Sequence, residues 1–286
     1  MSYVLVSDAT FDLPNDMVEK YDIKVVPMAF NLDGKEYLHY PDERNMKIED
    51  FYQTLKDGKM SATSQINPST YTDFFRPFLE DGKDILYIAF TSGLSGTYQS
   101  AMLACEMLIE DYPERTIEVV DSLCASIGQG FLLYLAGKQK EAGMGLQELV
   151  EWTKTNRTKV AHWFTVEDLF HLNRGGRLST AEAIMGTALK IKPIISVNEE
   201  GRLYVENKVR GNKKAHDYMI SKINDSMDSQ EQAVLIGHGD APENALALKE
   251  KIMEKTGVTD IMITKIGPII GTHTGPGMLA VVFKEK

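Results

Sequence analysis

The run Ile85-Leu86-Tyr87-Ile88-Ala89-Phe90, followed at once by Thr91-Ser92-Gly93-Leu94-Ser95-Gly96-Thr97, decides the fold class. The first part is apolar without alternation, as in a strand buried on both faces. The second part is the punctuation of a tight turn, rich in glycine and hydroxyls. Ala101, Ala104, Cys105 and Leu108 then recur at helical spacing, so the unit reads strand, turn, helix. Similar units lie on either side. Tyr3-Val4-Leu5-Val6 ends in Ser7-Asp8, and Pro14 suits the first turn of a helix carrying Met17, Val18 and Tyr21. Ile23 to Phe30 reads as a second strand, and Asp33-Gly34 as a hairpin turn returning through Tyr37-Leu38. Ile48, Phe51, Tyr52 and Leu55 mark one helix face, and Phe74, Phe75, Phe78 and Leu79 another. Downstream, Ile117 to Val120 is a strand, and Phe131 to Ala136 is apolar all round, as in a buried helix.

Strands alternating with helices predict parallel pairing with right-handed crossovers. The first lobe, residues 1–157, is therefore expected to be an open α/β layer with helices on both faces. The second, residues 158–286, reads differently. Its strand candidates are Val160–Thr165, Pro193–Val197, Leu203–Lys208, Ala233–Gly237, Asp260–Lys265 and Met278–Phe283. Its helix candidates are Val166–Leu172, Thr180–Leu189, Asn212–Met227 and Pro242–Lys255. Asn198-Glu199-Glu200-Gly201 joins two of the strands as antiparallel neighbours, so a mixed sheet is expected. The boundary has no Pro/Gly/Ser linker, which predicts close packing of the lobes.

The chain has 286 residues and a formal net charge of −10. No basic face suggests nucleic acid. Anion binding by such a chain needs a local site of backbone N–H groups, hydroxyls and a few cations. Cys105 and Cys124 have no metal or redox spacing, and a reducing compartment is expected. No signal peptide is read at the first residues, and no apolar run approaches the ~20 residues of a membrane span.

Four stretches could carry chemistry. Thr91–Thr97 sets hydroxyls and free backbone N–H groups at a helix N-terminus, which favours an anion. A well-capped turn would contain the same residues. Gly93-Leu94-Ser95-Gly96-Thr97 also half-matches a hydrolase elbow, with Thr97 in the last glycine's place and His273 as an available base. Thr63-Ser64-Gln65-Ile66-Asn67-Pro68-Ser69-Thr70 is polar, uncharged, and by itself reads as a loop capped at Ser69. Gly271-Thr272-His273-Thr274-Gly275-Pro276-Gly277 reads as a tightly specified turn holding a histidine able to donate to a carboxylate. Asn173-Arg174-Gly175-Gly176-Arg177-Leu178-Ser179 offers two planar guanidinium forks, or a glycine cap between solvated arginines. His238, at a strand end, reads as structural. Asp8 and Asp12 are joined by no further acidic cluster, so no metal or other cofactor is expected.

Together these pieces resemble the DegV family. Ser7-Asp8-Ala9-Thr10-Phe11-Asp12-Leu13-Pro14 is similar to its opening D-S-T-x-D-L-P element, with Ala9 in the usual serine's place. Thr63-Ser64-Gln65 resembles its T-S-Q element, although Ile66-Asn67-Pro68 departs from the usual P-S-P. Ser92 to Thr97 matches S-G-L-S-G-T. Asp121-Ser122 with Gly128-Gln129-Gly130, Arg174-Gly175-Gly176-Arg177, Lys192-Pro193-Ile194, Arg210-Gly211 and His273-Thr274-Gly275-Pro276-Gly277 follow in family order.

The resemblance implies a two-lobed α/β protein that binds one long-chain fatty acid in a tunnel between its lobes. Thr63, Ser95 and His273 fall on the positions that hold the carboxylate. Arg174, Arg177, Ser64, Gly96 and Thr97 are further candidates for ligand or partner contact. In bacteria with a fatty-acid kinase such proteins present the acid to a kinase subunit that makes the acyl phosphate, which places the chain in phospholipid metabolism. The chain is then expected to be cytoplasmic and non-catalytic, touching a membrane only in passing to exchange lipid. Two other classes remain open on the residues alone. One is a serine hydrolase using Ser95 and His273. The other is a binder of a small phosphorylated metabolite.

Overall fold

Residues 2–179 and 191–286 are described by a computed structural model of the chain. Tyr3–Asp8 forms β1, buried from its second residue onward, and Asn15–Lys20 forms α1. Ile23–Val26 is β2 and Met28–Leu32 is β3, so the expected single strand from Ile23 to Phe30 is two. Pro27 separates them. Proline has no N–H to give a ladder, and the chain leaves one sheet for another there. Lys35–His39, β4, pairs antiparallel with β3 through the expected Asp33-Gly34 turn. After α2 (Ile48–Lys56), Ser61–Thr63 adds β5 to the other edge of β3, where a loop was expected. Asn67, rather than Ser69, caps α3 (Pro68–Glu80), accepting from the Thr70 N–H at 2.9 Å. Asp84–Ala89 is β6, Thr97–Asp111 α4, Ile117–Asp121 β7, Ile127–Glu141 α5 and Leu146–Asn156 α6.

β2, β1, β6 and β7 form a four-stranded sheet in that order, all parallel. Its helices lie on both faces, α3 and α4 on one side and α5 and α6 on the other. Burial of both faces explains why β1 and β6 read as unbroken apolar runs.

The second sheet is mixed and six-stranded, in the order β10-β9-β8-β13-β11-β12. Its members are β8 (Val160–Thr165), β9 (Ile191–Val197), β10 (Leu203–Arg210), β11 (Val234–His238), β12 (Ile261–Lys265) and β13 (Leu279–Lys284). Only β11 and β12 run parallel. Phe170–Arg174 is α7, starting later than the helix expected from Val166. Gly211–Ser226 is α8 and Pro242–Thr256 α9. Pro268–Thr274 is α10, a helix where the glycines had suggested a turn. The helix expected at Thr180–Leu189 lies outside the described residues.

α8 and α9 cover the outer face of this sheet, and α5 covers the inner face. α5 therefore lies between the two sheets, touching β6 on one side and β8, β11 and β13 on the other. Its residues from Ile127 to Gly137 are all buried, which is why the sequence there shows no polar stripe. Gly130 and Gly137 allow this, since a Cβ on either would overlap the Phe11 carbonyl or the Tyr21 ring. One apolar core runs through α5 from Leu5 and Leu86 to Phe164, Leu235 and Val282.

Candidate functional site

The Thr91–Thr97 turn leaves β6 and starts α4, and the second half of the chain grips it twice. Thr91 Oγ1–H donates to the carbonyl of Gly201, at the tip of the β9–β10 hairpin, at 3.0 Å. Gly93 has room for no Cβ, because the Glu200 and Gly201 carbonyls are already there. Arg177 Nε–H donates to the Leu94 carbonyl at 3.2 Å, and its Nη1–H to the Gly175 carbonyl. The turn that carries Ser95 is thus fixed against both the hairpin and the loop after α7.

Beside it lies a partly open cavity of about 80 Å³. Both halves of the chain line it, with Phe90 and Leu94 from one and Phe164, Met278 and Val282 from the other. Thr63, Ser95, Thr97, Arg177 and His273 all line it as well. Thr63 ends β5 and His273 sits in the last turn of α10. Thr63 Oγ1 and His273 Nε2 share a hydrogen bond of 2.9 Å, and Ser95 Oγ and Thr97 Oγ1 share one of 2.8 Å. Each pair holds two polar hydrogens when His273 is neutral and uses one on itself. One donor per pair is left, a match for the two oxygens of a carboxylate. Gly175 lets the ring sit where it does, since a Cβ there would overlap His273 Nδ1.

The remaining candidates are placed differently. Arg174 is exposed and does not line the cavity; its guanidinium reaches Met60 Sδ at 3.4 Å and His171 Nδ1 at 3.2 Å. Ser64 is exposed, with its N–H on the Ala29 carbonyl. Gly96 precedes α4 and packs against Gln65, away from the lining. Among the described lining residues, Arg177 is the only Lys, Arg, Asp or Glu. Ser95 Oγ and His273 do not bond each other. No group of three or more His, Cys, Asp and Glu able to hold a metal is found among the described residues, and no described helix is long and apolar enough to cross a membrane.

Among the polar lining residues, Ser126 and His162 are not singled out by the sequence, and Thr10 enters it only within the opening motif. Ser126 stands between the Asp121-Ser122 and Gly128-Gln129-Gly130 pieces, and its positive-φ backbone, at 53°, is not announced by a serine. His162 hides in an otherwise apolar strand. Its Nδ1–H donates to the Val160 carbonyl at 2.8 Å, and Gly128 makes room for the ring.

Burial pushes the pKa of His39, His162 and His273 down from 6.5 to about 4. At His273 the Arg177 and Arg174 charges add to the effect of burial. Each ring binds its proton more weakly folded than unfolded. Their contribution to stability is therefore whole above pH 6.5 and is lost as pH falls toward about 4. His162→Asn keeps a donor for the Val160 carbonyl and cannot titrate. Denaturant unfolding at a series of pH values should show a flatter acid limb for it, by close to one proton. An unchanged slope would mean that His162 is already protonated or solvated in the folded chain.

Known proteins share this architecture over its whole length. The family model described as an uncharacterised protein, DegV family, matches residues 2–286. A DegV domain-containing protein of Clostridium perfringens strain 13 is 40% identical over 282 residues, covering 98% of this chain and 97% of the relative. A DegV family protein of Thermus thermophilus, whose structure is described for its fatty acid binding, superposes with a TM-score of 0.88 at 28% identity. All of both chains is covered. DegV of Bacillus subtilis, named a fatty acid binding protein, gives 0.85 at 26% identity, again over all of both chains. Matched by the family model over residues 2–286 and by a 40% identical relative over nearly all of both chains, the chain belongs to the DegV family.

Proposed function

We propose that this protein binds one long-chain fatty acid in the cavity, with its carboxylate on Thr63, Ser95 and His273. The reading takes residues 1–157 and 158–286 as two lobes with the acyl chain between them. One observation carries it: an apolar cavity with neutral donors, in two hydroxyl-bearing pairs, gathered on its wall. Ten buried methylenes contribute ~8 kcal/mol before ordering costs. A carboxylate removed from water needs hydrogen bonds, and the two free donors meet that need. The fatty acid binding of the Thermus thermophilus and Bacillus subtilis proteins supports the same reading. A hydrolase would pair Ser95 with His273. Here Ser95 pairs with Thr97 and His273 with Thr63, so the geometry does not favour that class.

The bound acid is then presented by this non-catalytic, cytoplasmic subunit to a partner kinase that makes the acyl phosphate. Arg174, exposed and 3.2 Å from His171 Nδ1, with its charge felt at the His273 ring, is the cation facing the phosphoryl group. Denaturing the purified protein, extracting it with organic solvent and weighing the extract by mass spectrometry should give one equivalent of long-chain fatty acid. A phosphorylated metabolite, or no lipid from protein incubated with fatty acid, would overturn the reading. Arg174→Ala should keep the lipid and slow acyl phosphate formation; lost lipid with normal coupling would move Arg174 into the binding site.

A further inference from the structure

On the far side of the cavity wall from the bound ligand's space lies Asp12, a buried carboxyl in the loop between β1 and α1. Its backbone has φ 48°, a strained setting for a residue with a side chain. One oxygen, Oδ2, accepts from Ser126 O–H at 2.6 Å, and Oδ1 accepts from the Gly267 N–H at 2.8 Å. Ser126, itself strained at φ 53°, lines the cavity and precedes α5. Gly267 precedes α10, the helix that ends at Thr274 and carries His273. Only glycine fits there, since a Cβ would overlap both Asp12 Oδ1 and His39 Nε2. One carboxyl therefore ties two walls of the cavity, and one wall is the short rod that aims His273.

We propose that Asp12 is the positioning residue of the fatty-acid site: ionised, it clamps the start of the His273 helix to the Ser126 turn, and protonation loosens that clamp. The proposal rests on the fatty-acid reading of the cavity and adds a group that does not touch the ligand. Both present bonds are donated into the carboxylate. A neutral acid must turn one oxygen into a donor, so one of the two bonds is lost or reversed. Charge-assisted bonds are also roughly twice as strong as neutral ones.

Several titratable and charged groups surround Asp12. Asp8 on β1, His39 on β4, Glu43 after it, Tyr52 on α2, His238 on β11 and Lys265 on β12 face it or its neighbours. Burial raises the Asp12 carboxyl to about 7, helped by Asp8 and opposed by the Ser126 and Gly267 bonds. His39 stays neutral down to about 4, and burial lowers His238 as well. Lys265 is held between Glu43 and Glu49, which sustain its charge.

The test is a fluorescence titration of delipidated protein with a fluorescent long-chain fatty acid, for wild type, Asp12→Asn and Ser126→Ala. Asparagine is isosteric and mimics the neutral acid. Its dissociation constant should exceed that of the wild type about tenfold near pH 8, and the ratio should fall to about one near pH 6. Titration of His273 and of the ligand is common to both proteins and cancels in the ratio. Ser126→Ala removes a bond that lowers the Asp12 pKa, so the midpoint of its pH profile should move upward. A deficit of equal size at both pH values, or none, overturns the proposal. If Asp12→Asn fails to fold, the Ser126→Ala midpoint decides, and an unshifted one is the negative result. Failure of the wild type to bind at any pH would instead refute the fatty-acid reading itself.

Discussion

Replacing Ala280 by phenylalanine will empty the protein of long-chain fatty acid and leave its fold standing. Ala280 is the second residue of β13, opposite Phe164 on one side and Gly237 on the other, and it lines the cavity. A benzyl group there needs the volume of about four methylenes of ligand. At ~0.8 kcal/mol each their loss is worth ~3 kcal/mol, a weakening of about a hundredfold. Overpacking a filled core costs ~1–3 kcal/mol, and an open cavity relieves most of that. Mass spectrometry of the extracted variant and its thermal midpoint provide the two readouts. Full lipid with an unchanged midpoint would mean that the acyl chain does not pass Ala280.

His273→Ala should weaken binding by roughly ten- to a hundredfold, because the Thr63–His273 pair then no longer aims its one free donor at the buried carboxylate, a charge-assisted bond worth ~1.5–3 kcal/mol. The loss also frees Thr63, whose hydroxyl is held by the His273 ring at 2.9 Å. Ser95→Ala should cost less, since Thr97 and the backbone N–H groups of the same turn stay in place. Binding of a fatty acid of fixed length to the three proteins gives the comparison. Equal affinities would put the carboxylate at another end of the cavity. Thr63→Ser, which keeps the hydroxyl, should stay close to wild type.

Much of the architecture was legible because burial writes itself into the sequence. β1 and β6 are apolar on both faces, and α5 from Phe131 to Ala136 shows no polar side because it has none. Where the reading slipped, local signals competed. Gly271 and the glycines after His273 suggested a turn, yet Pro268 at the first position and Gly275 at φ 70° are the start and stop marks of a short helix. Seven residues are too few for periodicity to outvote glycine. Pro27 inside Ile23–Phe30 carries the break between two sheets, a signal masked by the apolar residues on both sides of it. Thr63 looked like a loop residue because a three-residue edge strand has no alternation to detect. In the candidate site, Thr63, Ser95 and His273 were readable as motif positions. The pairing of Ser95 with Thr97 is local to one turn, but that of Thr63 with His273 depends on how α10 packs against β5 and is invisible in one dimension. Arg174 and Arg177 look equivalent in sequence, but only the second turns inward.

The place of β13 has a consequence for the chain as it leaves the ribosome. β13, at 279–284, is inserted between β8, at 160–165, and β11, antiparallel to both. At ~5–20 residues per second, β8 waits several seconds after synthesis before its central neighbour exists. Until then β8 and β11 each offer an open row of backbone donors and acceptors, the template on which strangers pair. A chain that stops before residue 279 therefore lacks the strand that joins β8 to β11, and truncations that spare every cavity-lining residue of the first half still remove Ala280 and Val282 from the cavity wall.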